Sequence, residues 1–255
     1  MIPEYAKYTT YSDIEDLKRL SFIVETIQGN IPEKGKVLDL GCGNGNISLA
    51  IGSCGYKVLG LDLDETSVNN AKARNKFENV IFDVRNAEEL DVNDKFDAIV
   101  CSEVLEHLYK PEELVKVIWS LLKENGVFIA TVPNGFGPRE MIVTKPVQFL
   151  MRHGFGKIII GFKRMLGFKN VTLQSASGDL THIQFYSKGR FTRMIKEAGF
   201  SSLKFAHANF VEKTIPFSLF AKRIKILQKM DCVIADYLPS FMISGFNSSW
   251  IKQSK

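Results

Sequence analysis

The stretch Val37-Leu-Asp-Leu-Gly-Cys-Gly-Asn-Gly45 constrains this chain more than any other, because three glycines at alternate positions separate an apolar run from a helical pattern. Val37 to Leu40 suits a buried strand. Gly41, Gly43 and Gly45 permit a tight turn with close backbone approach, and Ile47 to Ile51 opens a helix. Val58 to Leu61 then gives a second strand ending in Asp62, seventeen residues after Gly45. A carboxylate there can accept hydrogen bonds from a ribose diol, so the segment reads as a βαβ nucleotide-binding half.

The details narrow the nucleotide. A dinucleotide fingerprint is spaced G-x-G-x-x-G and rests a pyrophosphate on helix N-terminal amides. Here the spacing is G-x-G-x-G, and Asp39 stands two residues before the first glycine. A carboxylate in that place repels pyrophosphate and tolerates a cationic ligand. No Lys follows the glycines, which removes the P-loop reading. S-adenosylmethionine carries an ammonium and a sulfonium but no phosphate, and the segment resembles motif I of the class I S-adenosylmethionine-dependent methyltransferases.

The resemblance extends along the chain. Asp62-Leu63 matches the acidic strand end that holds the ribose in that family. Asn86-Ala87 falls where an acidic residue usually meets the adenine amine. The Asn is a departure, although its side-chain oxygen can still accept from that amine. Phe96 to Leu108 matches the fourth strand and the loop over the methionine moiety, Gly126 to Pro133 the fifth strand, and Asp179 to Phe200 a late loop and helix of small-molecule members similar to ubiquinone-pathway O-methyltransferases. Roughly residues 30–135 and 179–205 are covered, the first stretch specifically and the second loosely. The resemblance implies a cofactor site of Asp39, Gly41, Cys42, Gly43, Gly45, Asp62, Leu63, Asn86, Ala87 and Cys101. S-adenosyl-L-methionine would be the cofactor and S-adenosyl-L-homocysteine the product.

Charge divides sharply. Residues 1–135 hold 14 Lys and Arg against 22 Asp and Glu, whereas residues 136–255 hold 19 against 6. Within the basic part, Phe136 to Thr172 carries seven Lys/Arg against Glu140 alone among many apolar residues, and Thr214 to Lys229 adds four more basic residues. Both read as cationic amphipathic helical pieces, giving a basic insert at 136–178 that covers the substrate and a helical insert at 213–240. Cys42, Cys54, Cys101 and Cys232 show no C-x-x-C spacing, which argues against zinc and disulfides. No secretory h-region or run of about 18 apolar residues is visible, so a cytoplasmic protein is expected.

The periodicities predict a helix at 13–28, strands near 36–40, 57–61, 79–82, 97–101 and 126–132, and helices near 45–53, 65–76 and 111–123. A helix near 188–198 and strands near 201–210 and 245–252 follow. The fold class expected is a single α/β domain over 1–255: a doubly wound, mostly parallel seven-stranded sheet of the Rossmann-like methyltransferase fold, with a terminal antiparallel hairpin and a helical lid insertion.

Methyl transfer from a sulfonium is an in-line displacement in which orientation alone can supply about 7 to 11 kcal/mol. A hydroxyl acceptor also needs its proton removed, a step worth about 10² to 10⁴-fold with a placed base. His107 and His182 fall on loops over the expected site and are the candidate catalytic residues. Glu103 could orient substrate, and Tyr8 and Tyr11 could close over the cofactor. Cys101-Ser102-Glu103-Val104 stands where amino methyltransferases show [DN]-P-P-[YF], and no Pro-Cys pair marks a cytosine-C5 nucleophile. Oxygen is therefore the expected acceptor atom, by resemblance, on a small-molecule, quinone-like, glycan or lipid-linked acceptor, and no metal is expected. The basic insert could rest on the anionic inner membrane surface. Nucleic acid is disfavoured because no RNA-binding module is visible. The alternatives are a non-catalytic S-adenosylmethionine-binding protein, an RNA methyltransferase or a nicotinamide-dependent oxidoreductase. Nothing in the sequence sets the oligomeric state.

Overall fold

The computed structural model describes residues 3–90, 94–150, 153, 182–211 and 224–253. Short apolar runs become the strands β1 (Lys36–Leu40), β2 (Lys57–Asp62), β3 (Val80–Val84), β4 (Phe96–Ser102) and β5 (Leu122–Pro133), which pair in parallel. β6 (Phe200–His207) and β7 (Gly245–Lys252) complete a seven-stranded sheet in the order β3-β2-β1-β4-β5-β7-β6. β7 is antiparallel to both β5 and β6, the terminal hairpin expected. The helices are α1 (Ile14–Asn30), α2 (Asn46–Ser53), α3 (Glu65–Arg74), α4 (Pro111–Leu121), α5 (Lys145–Leu150), α6 (Lys188–Glu197) and α7 (Lys225–Tyr237).

Side chains of a strand alternate between faces, and each face of this sheet has its own core. On one side Val37, Val58, Ala98 and Val100 pack against Ile23 and Ile27 of α1, Leu49 and Ile51 of α2, and Val68 of α3. On the other, Leu38, Leu40, Ile99 and Cys101 pack against Ile118 of α4, Phe191 and Ile195 of α6, and Ala235 of α7. Burial on both faces explains why the parallel strands read as continuous apolar runs. β5 starts earlier than its apolar pattern suggests, because Leu122 already pairs with Phe96, and a register irregularity between Phe96 and Ala98 absorbs the turn at Asn125 and Gly126.

β1 lies between β2 and β4, so strand order reverses there and a crevice opens at the carboxyl ends of β1 and β4. The expected basic insert at 136–178 is described only to Leu150 and at His153, where a π-helix (Glu140–Thr144) leads into α5. Its remainder, and residues 213–223 of the second insert, lie outside the described residues. Among the described residues no helix is long and apolar enough to cross a membrane.

Phe191 joins α6 to the rest of the fold. It is fully buried, with ring centroids 5.4 Å from Tyr186 and 6.4 Å from Trp250. Phe191→Ala is expected to destabilise the chain by about 3–5 kcal/mol. Urea unfolding would read the loss, and a change below about 1 kcal/mol would show that α6 does not depend on this contact.

Candidate active site

The loop after β1 turns on left-handed glycines: φ is +68° at Gly41, +50° at Gly43 and +79° at Gly45. A side chain at Gly41 would collide with Val104, and one at Gly45 would come within 2.8 Å of Phe82 Cζ, so sterics as well as φ demand glycine. Gly41 and Cys42 donate their N–H groups to Leu61 O at 2.8 and 3.0 Å, and Gly43 donates to Asp62 Oδ2 at 2.8 Å. The other Asp62 oxygen accepts from Asp64 N at 2.9 Å. One carboxylate thus ties the glycine loop to the start of α3. Each of its oxygens keeps a lone pair, enough for the two hydroxyls of a ribose.

Asp39 faces the α2 side of the sheet with Val37. It is only 1% exposed and accepts from Ser48 Oγ at 2.5 Å. Burial raises its carboxyl to about 7, against the lowering effect of the Ser48 bond, and the charge of Asp62 raises it further. The residue therefore sits beneath the glycine loop. Leu63 stands 72% exposed beside Asp62, an apolar side chain open at the rim of the crevice. Asn86 and Ala87 follow β3 at the turn into a short 3-10 helix (Ala87–Glu89), where Glu89 N donates to Asn86 O at 3.1 Å. Cys42 is buried in the α2-side core and its thiol is pushed up by burial.

Cys101 departs from expectation. It alternates with Val100, so it points into the α4-side core with Leu38 and Leu40, with no exposed surface, and its thiol cannot touch a cofactor. Only its backbone borders the crevice. Tyr8 packs edge-on against Phe77 at 4.9 Å, and Tyr11 is buried with the Arg19 guanidinium 6.0 Å from its ring.

Across the crevice the loop after β4 carries Glu103 in a left-handed conformation at φ +58°, a strained state for a non-glycine residue. Its N–H donates to Thr131 O at 3.0 Å and its Oε1 accepts from Thr131 Oγ1 at 3.0 Å. Arg19 of α1, buried and paired with Asp16 at 2.8 Å, reaches to 3.9 Å of the same carboxylate. The packing of α1 over β5 and β7 buries these charged residues.

The two candidate histidines come together. Their rings lie 5.2 Å apart, although 75 residues separate them in sequence. The backbone carbonyl of Glu106 accepts from Ile183 N at 2.8 Å and Gln184 N at 2.9 Å, and Tyr186 Oη donates to Leu105 O at 3.2 Å. Each imidazole has a buried carboxylate beside it: His107 Nε2 is 3.6 Å from Glu106, and His182 Nδ1 is 3.3 Å from Glu140. The other histidines are engaged with backbone, His207 with Ala235 O and His153 with Phe149 O.

Sequence reasoning missed Arg74. From the last turn of α3 it donates to Asn44 O at 2.6 Å, Asn46 Oδ1 at 2.9 Å and Tyr8 O at 3.0 Å. It clamps the glycine loop and the N-terminal segment from behind. No local pattern marks it, since its partners lie 28 to 66 residues away.

The raised carboxyl of Asp39 has a stability consequence. Its folded value of about 7 lies above an unfolded value near 3.9, so the folded state holds this proton more tightly. The resulting stabilisation is complete at low pH and is lost as pH rises from about 4 through about 7. Asp39→Asn removes that dependence, so the variant should gain stability relative to the parent between pH 5 and pH 8, by a few kcal/mol at most. Equal offsets in urea midpoint at both pH values would mean that Asp39 is ionised throughout.

Comparison with known proteins bears on the family and the fold. A family model described as a methyltransferase domain matches residues 7–204. A ubiquinone biosynthesis O-methyltransferase of Glaesserella parasuis is 28% identical over 155 residues, covering 55% of this chain and 65% of that protein. One from Coxiella burnetii is 36% identical over 115 residues, covering 43% and 49%. The chain thus spans about half to two thirds of the length of the curated relatives it matches. Magnesium protoporphyrin IX methyltransferase from Synechocystis PCC 6803, solved with bound SAH, shares the fold at TM-score 0.57 and 16% identity over 94% of this chain and 84% of that one. With a family match across most of its length and the loop and sheet order described above, the chain belongs to the class I S-adenosylmethionine-dependent methyltransferase family.

Proposed function

We propose that this protein transfers the methyl group of S-adenosylmethionine to an oxygen of a small, hydroxyl-bearing acceptor. The observation that carries the cofactor half is the Asp62 carboxylate, fixed by Gly43 and Asp64 at the switch point of the sheet. The residues present suit that cofactor. The glycine loop brings no cation of its own to a phosphate, and the Asp62 carboxylate gives the crevice an acidic edge, as suits an ammonium and a sulfonium. Bound there, the cofactor supplies an electrophilic methyl carbon.

This chain's residues do the rest. The glycine loop and Asp62 hold the nucleoside, with Leu63 against one face of the base and Asn86 offering an acceptor to its amine. Glu103, held by Thr131 and Arg19, gives the opposite wall a polar edge on which an acceptor hydroxyl can be oriented. Orientation of this kind supplies much of the acceleration in such displacements. In this reading His107 and His182, whose rings lie 5.2 Å apart, receive the acceptor's proton as oxygen bonds to carbon and the carbon–sulfur electron pair returns to sulfur. A phenolic or quinone-like acceptor is the class favoured, since the curated relatives quoted above are named for ubiquinone biosynthesis.

Calorimetric titration tests the cofactor half. S-adenosylmethionine and its demethylated product should bind in the micromolar range, NADH should not, and Asp62→Ala should weaken both by roughly tenfold or more, a loss of at least about 1.4 kcal/mol. Binding of NADH, or none by either sulfur compound, would overturn the assignment. Transfer of labelled methyl to a hydroxylated quinone or phenol probe tests the acceptor. Cofactor binding without transfer to any hydroxyl would favour a non-catalytic binding protein.

A further inference from the structure

We propose that Glu106, His107 and His182 form a binding site for a first-row divalent cation of the zinc or manganese kind. One ligand atom from each of these residues lies within 4.8 Å of the others. A four-coordinate ion with ligands near 2.1 Å separates them by about 3.4 Å, so modest closure completes the geometry. The 3.6 Å between His107 Nε2 and Glu106 Oε1 is already close to that spacing.

An independent observation points the same way. Glu106 is 1% exposed, and neither of its carboxylate oxygens has a hydrogen-bond partner among the described residues. Glu140 is equally buried, and its Oε1 is likewise unpartnered. Burying an uncompensated carboxylate costs several kcal/mol, and such groups are as a rule paired or bound to metal. Two buried carboxylates lie here, each with one imidazole beside it and at least one oxygen left without a hydrogen bond among the described residues. Glu140 Oε2, 3.3 Å from His182 Nδ1, stands where an outer carboxylate orients a metal-bound histidine through its other nitrogen.

The donor set selects the ion. Imidazole nitrogen with carboxylate oxygen and no thiolate suits Zn²⁺ or Mn²⁺, whereas Mg²⁺ prefers an all-oxygen shell. The site stands at the carboxyl edge of the sheet, beside the Glu103 wall. In a methyltransferase an ion here would replace the two histidines, now its ligands, as the group that eases loss of the acceptor's proton: it would hold the acceptor's oxygen and the proton would pass to solvent, with the methyl–sulfur bond breaking as the oxygen–carbon bond forms. That role rests on the function proposed above, whereas ion binding does not.

The test titrates Zn²⁺, Mn²⁺ and Mg²⁺ as chlorides into the chelator-treated chain of residues 1–255, with S-adenosylhomocysteine titrated separately into the same samples. One-site binding of Zn²⁺ or Mn²⁺ tighter than Mg²⁺ is expected. His182→Ala and Glu106→Gln should each weaken it by roughly 10- to 100-fold or more while leaving affinity for S-adenosylhomocysteine unchanged. Should Glu106→Gln fail to fold, His107→Ala takes its place. Bound Co²⁺ should also give a visible spectrum that His182→Ala abolishes. The proposal fails if the parent chain binds neither Zn²⁺ nor Mn²⁺, or if the variants bind them as the parent does. Ion binding without S-adenosylhomocysteine binding would sustain this site and remove the methyltransferase reading.

Discussion

The carboxylate of Asp62 holds two turns with one group, and the crevice depends on it. Gly43 N–H on one oxygen and Asp64 N–H on the other lock the loop after β1 to the loop after β2. Three left-handed glycines cost backbone entropy, so their loop would be poorly defined if left to itself. Bonds from Gly41 and Cys42 to Leu61 O and the Arg74 clamp behind Asn44 and Asn46 complete its restraint. A nucleoside would therefore meet a preformed cradle, and little of its binding energy would go to ordering the protein.

The opposite wall is built by a different device. Glu106 contributes its backbone carbonyl to two amides of the late loop and its side chain to the histidine cluster. Gly135 N donates to Tyr186 O at 2.8 Å, which stitches the same loop to the end of β5. The strained Glu103, fixed at both its N–H and its carboxylate by Thr131, belongs to this wall. Strain, buried charge and facing imidazoles are concentrated at one edge of the sheet, while its two faces are closed apolar cores.

Most of the fold was legible in the sequence. Strands buried on both faces leave continuous apolar runs, and α4 and α6 carry periodic apolar stripes, so nearly every element lay within a few residues of its predicted place. The conformation of the loop after β1 was legible for the same reason, since the Gly41–Gly45 spacing and Asp62 are local features. Cys101 was misplaced because adjacency along a strand does not say which face a side chain takes. Arg19 and Arg74 were not legible at all: a buried cation on a helix looks like any solvated one until its partners are known.

What the sequence determined by itself was the order of elements, the parallel sheet and the chemistry of the loop after β1, because these rest on periodicity and on contacts between near neighbours. Only the tertiary structure decided that Asp39 lies protected beneath the loop, that Arg74 clamps it, and that His107 and His182 with Glu106 and Glu140 make one cluster. Those arrangements depend on strands and loops far apart in the chain being brought to one edge by sheet pairing. No spacing within a single segment records them.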